Sequence, residues 1–169
     1  MPILAVFDNE ETGSLSKQGA DSTFLEDVLR RISLASGKDE EGHYRAVSSS
    51  FMVSADNAHA VHPNHPEKAD PINRPMINKG IVIKFNAAQH YTTDAVSCAV
   101  YRDLCESNDI PVQVFTNRSD TRGGSTLGNV SNAHVSLNTV DIGLAQLAMH
   151  SCYETVGARD TKHLVDAMT

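Results

Sequence analysis

No stretch of the 169 residues approaches the length of a membrane-spanning helix, which needs about 18 consecutive apolar positions. The first residues, MPILAVFDNE, lack the basic start and long apolar core of a secretory leader. Neither a membrane nor an export route is therefore expected, and a cytoplasmic protein is. Cysteine is scarce: Cys98, Cys105 and Cys152 form an odd, widely spaced set with no paired ligand spacing. That pattern excludes a disulfide framework and a thiolate zinc site, and suits buried thiols. Basic residues are also short, with Lys+Arg at 14 against Asp+Glu at 21 and a formal net charge of −7. A general nucleic-acid binder needs the opposite balance to neutralise phosphates. There is no internal repeat and no low-complexity tract.

What is present is a chain long enough for one domain. At 40% hydrophobic, it can bury roughly two-thirds of the surface its unfolded form exposes. The histidines, eight in all, are the compositional surplus.

Apolar and polar stretches alternate in a recognisable order. The opening ILAVF predicts a strand buried on both faces, ending at the polar cluster DNEETGS. Phe24, Leu25, Val28, Leu29 and Ile32 follow helical spacing behind a cap at Asp21 or Ser22. ASGKDEEGHY predicts a loop, AVSSSFMVSAD a second strand, and the proline-rich stretch from Pro63 to Pro75 an irregular connection. IVIKF and PVQVF predict strands either side of a helix whose apolar stripe is Val96, Val100 and Leu104. A glycine-bearing loop, NRSDTRGGSTLGN, leads to a short strand at Thr139–Ile142, and the tail from Gln146 is expected to be mainly helical. Strands alternating with helices imply an α/β layer fold with a largely parallel sheet.

Three clusters fall at or just beyond these strand ends: Asp8-Asn9-Glu10-Glu11, Asp56-Asn57-Ala58-His59, and His150. Carboxyl ends of strands line the ligand crevice in open α/β sheets. Carboxylates and imidazoles meeting there suit a divalent metal, zinc above all. Adjacent glutamates can divide the work, one binding metal and the other acting as general base. A bare Glu-Glu pair is more often a solvated turn, but with Asp8 the carboxylates crowd and repel without a cation. Taken singly, His59 and His150 also fit hydrogen-bonded interior or loop positions, and His62 and His65 an exposed loop. The RGGSTLG loop resembles a phosphate-cradling turn, yet it lacks the Gly-Lys-Ser/Thr ending of a nucleotide site.

Taken together, DNEETGS, SADNAHAVHPNHPEK, KGIVIKFNAAQHYTTDA, NRSDTRGGSTLG and DIGLAQLAMHS resemble the aspartyl aminopeptidase family, zinc aminopeptidases of the aminopeptidase I type. The strings occur in the family's order through nearly the whole chain. The resemblance implies a three-layer α/β/α, phosphorylase/hydrolase-like zinc peptidase fold that is incomplete here. Residues 1–169 would be the C-terminal portion of the catalytic domain, without the upstream portion and the inserted dimerisation domain. It implies a two-zinc, bridging-water aminopeptidase that removes N-terminal Asp or Glu from peptides. Manganese or cobalt could replace the zinc. Glu10 would be the general base, and Glu11, Asp56 and His150 metal ligands. His59 would stabilise the oxyanion. Lys84 and Tyr91 would line the substrate pocket, with Lys84 facing an acidic side chain, and Gly124 and Ser125 would position substrate backbone. An upstream histidine and a bridging aspartate have no counterpart here, so the fragment alone is expected to be inactive. A homo-oligomer is expected of the full-length enzyme. The alternatives are a non-catalytic remnant or assembly module with the same fold, or a phosphate binder built on the glycine loop.

Overall fold

A computed structural model describes residues 1–169. Its helices are α1 (Phe24–Ala35), α2 (Glu40–Ser48), α3 (Ala95–Glu106), α4 (Leu127–Asn132) and α5 (Ala158–Met168). The strands are β1 (Phe51–Ala55), β2 (Ala58–His59), β3 (Ile81–Phe85), β4 (Val112–Thr116), β5 (Asn138–Gly143), β6 (Ala145–Leu147) and β7 (Thr155–Val156). A four-stranded sheet runs in the order β1-β5-β3-β4 and a three-stranded one in the order β2-β6-β7. β1 is parallel to β5 and β3 to β4, while β5 meets β3 antiparallel. The sheet is thus mixed rather than largely parallel.

Strand alternation sorts the central side chains by face. Ile81, Ile83, Val140 and Ile142 join Tyr101, Cys105 and Ile110 in the main core, closed by Ala167 of α5. The intervening positions turn to the opposite side, where Val82 packs with Tyr91, Phe115, Ala58 and Ala145. Lys84 and Asp141 share that parity, which places a cation and a carboxylate on the second face.

Four sequence expectations are corrected. Ile3–Phe7 forms no strand: the segment has no ladder partner, Leu4 is 82% exposed, and Phe7 only meets the edge of the Phe24 ring at 5.8 Å. The predicted loop at 35–44 contains the start of α2, because the Asp39 side chain caps it by accepting from the Gly42 N–H at 2.8 Å. On α3 the Val96, Val100, Leu104 stripe faces solvent, and the buried stripe is Ser97, Tyr101 and Cys105. The two stripes differ by one residue, a rotation of about 100°, and the position of the sheet chose the polar one. The tail begins with β6 and β7 before α5 rather than as helix. Of the thiols, Cys105 is buried, Cys98 half-buried and Cys152 exposed.

Wholly buried Asp160 fastens α5 to the start of β3. It accepts from the Asn78 N–H at 2.6 Å and the Gly80 N–H at 2.8 Å. Asp160→Ala strands both amides and is expected to cost about 2 kcal/mol, seen as a lower urea midpoint in equilibrium unfolding. An unchanged midpoint would remove the carboxylate from this role.

β1 and β4 are open sheet edges. Beside β1 lies an apolar groove of about 600 Å³, lined by Ile3, Leu4, Leu29, Ile32 and Met52 among others. Unpaired edges beside exposed apolar surface promote association. The 169-residue chain by itself is expected to self-associate, and sedimentation giving a clean monomer would contradict that.

Candidate active site

The segment after β1 carries Asp56, and its backbone is drawn tight against the end of β5. A Cβ on Gly143 would lie 2.0 Å from the Asp56 carbonyl oxygen, so only glycine permits this approach. Lys84, reaching from β3 and 2% exposed, donates to the Asp56 carbonyl at 2.9 Å, the Asp56 carboxylate at 3.1 Å and the Asn57 carbonyl at 3.2 Å. All three ammonium protons have an acceptor. The same ammonium sits 5.1 Å from the centre of the Tyr91 ring, a cation–π contact in a desolvated place.

On the other side of the site, the His150 Nε2 lies 2.9 Å from Glu11 Oε1, and both side chains are exposed. His150 adopts a left-handed φ of 64°, held by its N–H donating to Glu154 Oε1 at 2.7 Å. Glu10 lies between the two halves. Its carboxyl is pushed above the usual range by burial first, then by the negative charges of Glu11 and Asp56, against Lys84 and His150. His59 is shifted the other way: partial burial, then the charges of His150 and Lys84, favour neutral imidazole. A neutral ring can present an N–H to a developing oxyanion.

Glu10, Glu11, Asp56, His59, Lys84, Tyr91 and His150 thus come from distant parts of the chain to one side of the sheet. Gly124 joins them along a cleft of about 370 Å³ that His59 and Tyr91 also line. Ser125 does not line it, and its hydroxyl accepts from Asn129 Nδ2 at 2.9 Å. His62 borders the cleft, whereas His65 pairs with Glu67 at 3.2 Å.

Asp141 is a structural centre of the site that motif reading passed over. Wholly buried on β5, it accepts from the Thr92 N–H at 2.6 Å, the Thr92 hydroxyl at 2.7 Å and the Thr126 hydroxyl at 2.9 Å. One carboxylate therefore sets both the Tyr91 loop and the glycine loop. Its signal was weak: a single Asp in the strand string NTVDIG.

A carboxylate beside an imidazole, as in Glu11 and His150, suits zinc in kind. In number the set falls short, since no group of three metal-ligating side chains gathers within the chain, and zinc sites use three or four protein donors.

Residues 1–169 match the family described as aminopeptidase I zinc metalloprotease (M18). A relative described as probable M18 family aminopeptidase 2, from Clostridium acetobutylicum, is 58% identical over 158 residues, covering 94% of this chain and 36% of the relative. Among solved structures, Ape4 in its complex with Nbr1 superposes with a TM-score of 0.88 at 42% identity, over 92% of this chain and 30% of that one. The dodecamer of mApe1 from S. cerevisiae gives 0.80 at 31% identity, over 96% and 35%. The chain spans about a third of the length of these relatives. The mixed helices and sheets and these superpositions agree with the expected α/β fold. The chain belongs to the aminopeptidase I (M18) family of zinc metalloproteases.

Proposed function

We propose that residues 1–169 are the C-terminal portion of the catalytic domain of a two-zinc aminopeptidase that removes N-terminal Asp and Glu from peptides. The observation that carries this reading is the placement of Glu10 beside the Glu11–His150 pair and within the field of Asp56 and Lys84. Glu11, His150 and Asp56 would hold metal, completed by donors outside these residues. Bound zinc supplies polarisation of a carbonyl and acidification of water. Glu10, raised in basicity by its crowded setting, takes a proton from the attacking water and passes it to the leaving amine. His59 donates to the oxygen on which negative charge develops. Lys84, held against Asp56 and Tyr91, exchanges its bond to the Asp56 carboxylate for the acidic side chain of the substrate.

Dialysis of the full-length enzyme against a chelator is expected to abolish release of Asp from Asp-p-nitroanilide, and added zinc to restore it. Manganese or cobalt, with the same ligand preferences, would restore part. Chelator-resistant turnover would sink the metal-dependent reading. The purified 169-residue chain is expected to release nothing at equal molarity, because its donor set is incomplete. Zinc-dependent release by that chain alone would refute the division of the site. No helix is long and apolar enough to cross a membrane, and with three free thiols we place the enzyme in the cytoplasm. We take it to be a homo-oligomer, by analogy with the mApe1 dodecamer.

A further inference from the structure

We propose that Arg122, with Lys68 on the same cleft, binds a carboxylate on the leaving portion of the substrate, so that the enzyme favours peptides acidic beyond the scissile bond. The inference rests on the aminopeptidase reading and adds a second specificity element to it. The cleft running past His59 and Tyr91 is bordered by three cations, Lys68, Arg118 and Arg122, and a single carboxylate, Asp70. That local balance opposes the −7 of the whole chain.

The charges are not equally free. Arg118 is committed to Asp120, with contacts of 2.8 and 2.5 Å, and to the Glu67 carbonyl. Asp70 is occupied by the N–H groups of Ile72 at 2.9 Å and Asn73 at 2.7 Å, and these bonds hold its carboxyl below the usual range. Arg122 and Lys68 make no side-chain ion pair or hydrogen bond and are exposed. Two uncommitted cations facing one cleft are poised for an anion, and a guanidinium matches a carboxylate bidentately.

Position decides which carboxylate. Lys84 is buried over the Tyr91 ring and is not among the residues that line the cleft; in the proposed reading it serves the first residue. Arg122 stands on the glycine-bearing loop and Lys68 ends a short 3-10 helix, Pro66–Lys68. Both are exposed and border the cleft, along which the chain beyond the scissile carbonyl would leave. Gly124, two residues from Arg122, also borders the cleft, and a Cβ there would meet nothing within 4 Å. Substrate backbone can therefore pass close to this loop and bring its next carboxylate to Arg122. In a dipeptide that group is the terminal carboxylate, and in a longer peptide the side chain of the second residue.

The test uses the full-length enzyme and two substrate pairs, Asp-Ala against Asp-Ala-amide and Asp-Glu-amide against Asp-Gln-amide. Wild type is expected to favour the carboxylate member of at least one pair by about fivefold in kcat/KM, the size of an exposed charge pair. Which pair responds identifies the source of the carboxylate. Arg122→Gln should bring that ratio close to one, Arg122→Lys should keep part of it, and added salt should erode it. A wild-type ratio of one in both pairs, or a ratio that survives Arg122→Gln, would overturn the inference while leaving the aminopeptidase reading intact. Failure to cleave any of the four peptides, or Asp-p-nitroanilide, would overturn both.

Discussion

Replacing Glu10 by glutamine in the full-length enzyme is expected to lower kcat about a thousandfold, the scale of a lost general base, and to leave the bound zinc in place. The substitution keeps the shape and removes the proton acceptor. Glu10 is not one of the paired donors, because the Glu11 carboxylate is the one that meets His150 at 2.9 Å. Metal analysis separates the roles of the two glutamates. Glu11→Gln should lose zinc along with activity, whereas Glu10→Gln should lose activity alone. Near-normal turnover in Glu10→Gln, or loss of metal from it, would remove the residue from the role of base.

Lys84→Met is the second substitution with a large expected effect. The ammonium is buried, and its three acceptors belong to the Asp56–Asn57 turn. Methionine fills similar space and leaves two carbonyls and a carboxylate without their donor. Removing one partner of a buried ion pair costs about 3–5 kcal/mol. The Asp56 side chain is 33% exposed, so water recovers part of this and a loss of about 2–3 kcal/mol is expected. Catalysis should suffer more than folding. Asp56 would shift by a fraction of its own length, and misplacement of about 1 Å can cost a hundredfold. The proposed preference for Asp over Ala in the first position should fall as well. Lys84→Arg should not rescue either property, since a planar guanidinium cannot direct three donors at the acceptors of a point ammonium. A Lys84→Met enzyme of unchanged stability and unchanged preference would refute this account.

Much of the candidate site was legible as residue clusters because its groups are local in sequence. Glu10-Glu11 are neighbours, Asp56 follows an apolar strand by one residue, and His150 follows a short apolar run. Such clusters announce themselves through residue type. Asp141 did not, because its function is to join Thr92 and Thr126. That relation exists only once β5 lies between the two loops. The same limit explains α3. Periodicity marks Val96, Val100 and Leu104 as the apolar stripe, and only the position of the sheet turns Ser97, Tyr101 and Cys105 inward instead.

By itself, the sequence determined the order of most elements, the parity that turns Lys84 away from Ile83, and the residue types able to hold a metal. These follow from backbone periods and side-chain chemistry, which need no partner. Tertiary structure decided which groups meet: Glu11 with His150 across the chain, Lys84 with Asp56, and Arg122 with an open cleft. It also decided that Ile3–Phe7 is not a strand. A strand is defined by the hydrogen bonds of a neighbour, and no apolar run, however strand-like, carries its neighbour with it.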